Sequence, residues 1–268
     1  MKDEAFQAQI AAARAYENLF VAGLFQEWAP RVIDFAQIQP GHRVLDVGCG
    51  TGILARETVQ RIGPTGFVAG LDLNPGMLAV AEQLAPTLEW RQGKAESIPF
   101  PDQSFDRVVS QFSLMFFSDR HQAIREMLRV LKPHGRLAVA VWDSLANNPA
   151  YACEVGLLER VAGKSAADAL RAPFVLGDRN PVVSLFEQAG TDSVTIMTQP
   201  GSARFPSIRT MVEADLRGWL PVMDVVLAEA QIQQILSEAE ADLNPFIKVD
   251  RSIQFETSAH IVTGVKPH

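Results

Sequence analysis

The chain has 268 residues, 24 of them Lys or Arg and 31 Asp or Glu, with a net charge of −7 and 47% apolar residues. That is ample apolar material for one large core, or for a core with an accessory part. The acidic balance, without any compensating basic cluster, argues against nucleic acid as a partner.

No stretch reaches the roughly 18 consecutive apolar residues of a membrane span. The opening Met1-Lys2-Asp3-Glu4 has no apolar export region, and two cysteines cannot build a disulfide framework. A cytoplasmic chain, monomer or homodimer, is expected.

In chain order, Phe6, Ile10, Ala13 and Phe20, with Tyr16 beside them, fall at helical spacing. A second helix is predicted over 26–37, before Pro40-Gly41. Then come strand 43–47, helix 52–62, strand 67–72, helix 75–84 opened by Pro75, and strands 88–91 and 106–111. Helix 119–131 ends at Lys132-Pro133-His134-Gly135, before strand 136–142. Such alternation predicts a parallel sheet covered on both sides. Beyond Trp142, helical stretches at 148–162, 166–171 and 179–189 precede a strand at 192–199. Pro206 opens a helix to Gly218, another spans 228–243, and a final strand, 253–265, pairs with 192–199.

The most informative run is Val44-Leu45-Asp46-Val47-Gly48-Cys49-Gly50-Thr51-Gly52, a buried strand that ends in glycines and opens at once onto a helix. Alternate glycines let the backbone approach a ligand closely, and the helix start points free N–H groups into the same space. Asp46 adds a carboxylate suited to a cationic amine. The glycines read G-x-G-x-G, with Ile53 where a dinucleotide fingerprint has its third glycine. No Lys-Ser/Thr pair follows, which excludes a P-loop. Asp72 ends a second apolar run, where a ribose diol needs a two-pronged acceptor.

With VLDVGCGTG (44–52), GLDLNPGML (70–78), GKAESIPFPDQSFDRVVSQFSLMFF (93–117) and REMLRVLKPHGRLAVAVW (125–142) in this order, the chain resembles the class I S-adenosylmethionine-dependent methyltransferases. The likeness is to the type 11 group, which includes the C-methyltransferases of ubiquinone and menaquinone biosynthesis. It covers roughly the first 145 residues; the remainder is only loosely similar to longer members.

The resemblance implies a Rossmann-like α/β fold: seven strands, mostly parallel with an antiparallel last strand, and helices on both faces. It implies S-adenosyl-L-methionine as cofactor, S-adenosyl-L-homocysteine as product, and no metal. Carried over by position, Asp46, Gly48, Cys49 and Gly50 hold the methionine portion, and Tyr16 closes over its carboxylate. Asp72 takes the ribose hydroxyls, Leu73 and Met77 flank the adenine, and Ala95 and Glu96 meet its edge. Gln111 places its carbonyl near the methionine ammonium, and Phe112 walls the cleft.

Three positions depart from the family pattern. Lys94 replaces the usual Asp and cannot accept from the adenine amino group. Lys132-Pro133-His134-Gly135 replaces a double glycine, and Phe116 stands where relatives often carry histidine. If a base is used, the candidates by sequence are His121, Glu213 and Asp215.

The expected layout is a methyltransferase core over 1–205 and 249–268, with helices of 1–38 as a cofactor lid. Residues 206–248 form a helical cap insertion over the substrate pocket, not an independent domain. The expected activity is methyl transfer to a small hydrophobic or aromatic metabolite by in-line displacement. The alternatives are an inactive cofactor-binding regulatory or assembly protein, and a nucleotide-dependent oxidoreductase.

Overall fold

The computed structural model describes residues 2–268; Met1, the first residue of the predicted lid, lies outside them. The sheet grows from strands whose side chains are almost all buried. β1 (Arg43–Val47) is buried at every position after Arg43, as a strand covered on both faces must be. It pairs in parallel with β2 (Phe67–Asp72) and β4 (Phe105–Gln111). β3 (Glu89–Gln92) lies outside β2, and β5 (Leu131–Trp142) continues the parallel set beyond β4. β7 (Ile253–Val265) inserts antiparallel between β5 and the edge strand β6 (Asp192–Phe205). The order is therefore β3-β2-β1-β4-β5-β7-β6. The expected seven-stranded sheet with its antiparallel last strand is what the chain forms.

The order reverses between β1 and β4, and in open α/β sheets the crevice beyond the carboxyl ends of such strands binds ligands. The helices set those ends. α2 (Ala29–Phe35) packs with α3 (Ile53–Ile62), while α5 (Arg120–Val130) packs with α8 (Arg179–Gln188), which covers the two faces. α4 (Pro75–Leu84) begins at Asn74, whose side chain accepts from the N–H groups of Gly76 and Met77. α1 (Lys2–Tyr16) lies across α4, so closely that a Cβ on Gly76 would stand 2.6 Å from the Gln9 backbone.

Several boundaries differ from the sequence reading. β5 starts at Leu131, not at 136, because Leu131 still pairs with Phe105; the register slips across Lys132–Gly135 before Arg136 meets Arg107. β6 runs on to Phe205, past Pro200-Gly201, because an edge strand tolerates a residue without an N–H. The predicted helix 26–37 is a single tight turn over 26–28 followed by α2. Between α1 and that turn, Glu17–Phe25 coils as a π-helix, which no hydrophobic period announces.

After β5 come α6 (Pro149–Ala162), α7 (Lys164–Arg171) and α8. Between β6 and β7 lie α9 (Ile208–Ala214), a π-helical turn Asp215–Trp219, α10 (Leu220–Val222) and α11 (Glu229–Asp242). This segment is seated by buried Met211, Val212, Leu216, Leu220, Ile235 and Leu236. Among the described residues, no helix is long and apolar enough to cross a membrane.

Candidate active site

β1 delivers the chain to a turn in which Gly48, Gly50 and Gly52 all have positive φ, at 70°, 55° and 86°. The need for glycine is steric as well as conformational. A Cβ on Gly48 would stand 2.4 Å from Ser113 Oγ, just beyond the end of β4. The N–H groups of Gly48 and Cys49 both donate to Leu71 O, which ties the turn to β2.

Asp72, at the end of β2, organises this corner. Its Oδ2 accepts from the Gly50 N–H at 2.8 Å and its Oδ1 from the Asn74 N–H at 2.8 Å. Burial raises its pKa against the pull of those two amides. Asp46 is fully buried: Oδ2 accepts from the Ala55 N–H at 3.1 Å, and Oδ1 has no partner. Desolvation pushes its carboxyl up to about 8. An unpaired buried carboxylate oxygen is costly to leave so, and a cationic ligand would relieve it.

Across the crevice, Gln111 donates from Nε2 to Phe25 O at 3.1 Å, and its buried Oε1 has no partner. Phe112 follows with φ 54° and stacks on Trp142 at 3.9 Å between ring centroids. Tyr16 lies over the glycine turn, 3.8 Å from where a Gly50 Cβ would be, and stacks on Phe25. Burial and the nearby Asp72 hold its phenol well above the ordinary value. Burial likewise pushes the Cys49 thiol up.

Leu73 is 58% exposed at the rim and Met77 is half-buried. Ala95 is buried, and Glu96 Oε1 accepts from the N–H groups of Ser118 and Asp119. Lys94 is exposed. Tyr16, Asp46, Gly48, Cys49, Gly50, Asp72, Gln111 and Phe112 thus converge on one corner.

The base candidates separate. Glu213 is on the surface, paired with Arg209 and Arg217. His121 is half-buried in the first turn of α5. Asp215 is buried, and its Oδ2 has no partner.

Two groups escaped the sequence reading. Glu17, the residue after Tyr16, accepts from Thr51 Oγ1 at 2.5 Å and pairs with Arg56 at 2.6 Å, pinning the π-helix to the glycine turn. Glu154 on α6 is wholly buried with both carboxylate oxygens unpartnered. Its signal was present: a lone acid within an apolar stripe formed with Tyr151, Val155 and Leu158. An open hollow of about 280 Å³, lined by Val59, Ile62, Phe67, Thr87 and Glu89, lies at the opposite ends of the strands, away from these groups.

Residues 45–139 match the family model described as a methyltransferase domain. A ubiquinone/menaquinone biosynthesis C-methyltransferase UbiE of Pseudomonas putida is 32% identical over 208 residues, 72% of this chain and 81% of that protein. The chain belongs to the class I S-adenosylmethionine-dependent methyltransferases.

A second UbiE relative, from Ectopseudomonas mendocina, is 37% identical over 150 residues, 54% of this chain; this match spans 59% of that relative. In fold, the chain is similar to phosphoethanolamine N-methyltransferase 2 of Haemonchus contortus, solved with S-adenosyl-L-methionine. That match has a TM-score of 0.60 at 17% identity, over 97% of this chain and 57% of the other. The methyltransferase uses S-adenosyl-L-methionine as its cofactor.

Proposed function

We propose that this methyltransferase acts on a small hydrophobic or aromatic metabolite, with the cofactor lodged between the glycine turn and the end of β4. The orphaned oxygens of Asp46 and Gln111 carry this reading, since they flank the crevice and both lack a donor. Asp46 and Gln111 meet the methionine ammonium, and the turn at Gly48, Cys49 and Gly50 cradles the aminoacyl chain. Asp72 takes the ribose hydroxyls with its remaining lone pairs. Leu73 and Met77 flank the adenine and Ala95 and Glu96 meet its edge, with Glu96 Oε1 also accepting from Ser118 and Asp119. Tyr16 closes over the turn.

When bound, the cofactor supplies an electrophilic methyl on a sulfonium. The protein's part is alignment and exclusion of water; good alignment contributes on the order of 7–11 kcal/mol in favourable cases. Phe25, Phe112 and Trp142 wall the transfer space, Phe112 stacked on Trp142 and Phe25 tilted against both. The segment 206–248 caps that space: Trp219 rests on Phe116, the residue in place of the family histidine, at 5.1 Å between ring centroids. An apolar wall suits the hydrophobic body of an acceptor. Release of S-adenosyl-L-homocysteine over a panel of quinols, phenols and amines tests the proposal. Turnover with at least one hydrophobic member is expected, and cofactor binding without turnover of any member would overturn it.

A further inference from the structure

The methyltransfer corner leaves one cluster of buried ionisable groups unused. Glu154 on α6 and Asp215 in the π-helical turn are both buried, at 0% and 3% exposure. Glu154 Oε1 and Oε2 and Asp215 Oδ2 have no hydrogen-bond partner. Among the described residues, neither carboxyl is in an ion pair. The charges on the packed helices face outward instead: Arg160 pairs with Glu238 and Asp242, Arg171 with Asp168 and Glu159, and Arg217 with Glu213 and Glu229. On β7, His260 is engaged by Thr198 and the Gly177 carbonyl. The groups that bear on the pair are each other and the phenol of Tyr151.

The pair's place connects it to the transfer space. Its π-helical turn carries Trp219, which touches Phe116 in the loop after β4 and donates to Ala169 O. On the other side, Tyr151 contacts Phe174, Phe174 contacts Trp142, and Trp142 stacks on Phe112 at the mouth of the cofactor crevice. π-Helical turns concentrate at functional sites, and this chain places one at the lid and one at the pair, both in contact with α1.

We propose that Glu154 and Asp215 are the acceptor-binding pair of this methyltransferase, built for the ammonium group of a hydrophobic primary amine. The inference rests on the methyltransferase function proposed above. Three orphaned oxygens match the three donors of an –NH3⁺ group, and its charge supplies the missing counter-ion. The rings of Tyr151 and Phe174 offer the faces that a cation and its apolar stem prefer.

One carboxylate then removes a proton from the bound ammonium. The freed nitrogen pair forms the N–C bond as the S–C bond breaks, its electrons staying on sulfur as a thioether. The product leaves as a protonated secondary amine, so atoms and charge balance. Desolvation holds the Asp215 carboxyl up to about 8, and burial, with the Asp215 charge added, holds Glu154 well above its ordinary range. The amine therefore binds with proton release, more tightly as pH rises from 6 to 8.

The test is calorimetry on the S-adenosyl-L-homocysteine-saturated chain with 2-phenylethylamine, tyramine and octylamine, against 2-phenylethanol and 4-ethylphenol. At least one amine is expected to bind ten-fold or more tighter than either neutral probe. That preference should vanish in Glu154→Gln and Asp215→Asn, with S-adenosyl-L-homocysteine affinity within two-fold of native. In the native chain, amine affinity should rise several-fold between pH 6 and pH 8, with proton release scaling with buffer ionisation enthalpy. Equal binding of amines and neutral probes, a preference for the phenol, binding by none of the amines, or a flat pH dependence would each overturn the proposal. Failure of S-adenosyl-L-homocysteine itself to bind would instead strike the cofactor assignment.

Discussion

The two acidic corners of this chain are built in opposite ways. At the glycine turn, Asp72 is held by the backbone N–H groups of Gly50 and Asn74, and Asp46 by that of Ala55. Each carboxyl is therefore set by residues near it in sequence or on the adjacent strand. Beneath the helical segment, Glu154 and Asp215 have three unpartnered oxygens, and the Asp215 charge acts on Glu154 although the two are far apart in the chain. The first corner is held mostly by backbone N–H groups and leaves Asp46 Oδ1 and Gln111 Oε1 open. The second is left for something else to finish.

The largest expected effect comes from removing the better-held carboxylate. Two hydrogen bonds to a charged group are worth roughly 1.5–3 kcal/mol each. Asp72→Ala is accordingly expected to weaken S-adenosyl-L-homocysteine binding by about 100-fold in calorimetry. Unchanged affinity would remove Asp72 from the site.

Next is the steric demand at the turn. Gly48→Ala sets a Cβ 2.4 Å from Ser113 Oγ at a φ of 70°. A left-handed non-glycine residue alone costs about 1–2 kcal/mol. The melting temperature should fall by several degrees, and Ser113→Gly in the same chain should restore part of it. No restoration would mean that the clash does not limit the turn.

The pH dependence sharpens the contrast. The Asp46 carboxyl titrates near 3.8 when unfolded and near 8 when folded, so the folded chain holds an extra proton between these values. Stability is greatest below pH 3.8 as far as this group is concerned and declines as pH rises through about 8. Asp46→Asn should flatten that part of the decline in denaturant titrations. An unaltered pH profile would show that Asp46 ionises freely in the folded chain.

Much of the first corner was legible because local rules dictate it. Glycines at 48, 50 and 52 between a buried strand and a helix, and Asp72 before Asn74-Pro75, announce their geometry within a few residues. The sheet was legible for the same reason, except where an irregularity interrupts a period: Pro200-Gly201 inside β6, and Lys132–Gly135 inside β5. The π-helical lid was not, since Glu17's partners Thr51 and Arg56 lie more than 30 positions away. The tie of Glu96 Oε1 to Ser118 and Asp119 was not legible, because it depends on how two loops meet. Glu154 and Asp215 needed the tertiary fold to bring them together.

Smaller effects refine the picture. Glu17→Gln weakens the lid's hold on Thr51 and Arg56, and S-adenosyl-L-homocysteine affinity should fall about three- to ten-fold with little change in melting temperature. A changed melting temperature with unchanged affinity would mean that this contact only braces the fold. At His134, a non-glycine residue, φ is 62°. His134→Gly should stabilise the chain by about 1 kcal/mol, read in denaturant titrations, with no effect on cofactor binding.

A crystal structure of the chain with S-adenosyl-L-homocysteine tests the central claim most directly. The account predicts the nucleoside in the crevice between β1 and β4, its ribose hydroxyls on Asp72 and its amino group near Asp46 and Gln111. A nucleoside seated elsewhere, with Asp46 Oδ1 and Gln111 Oε1 still lacking donors, would contradict it.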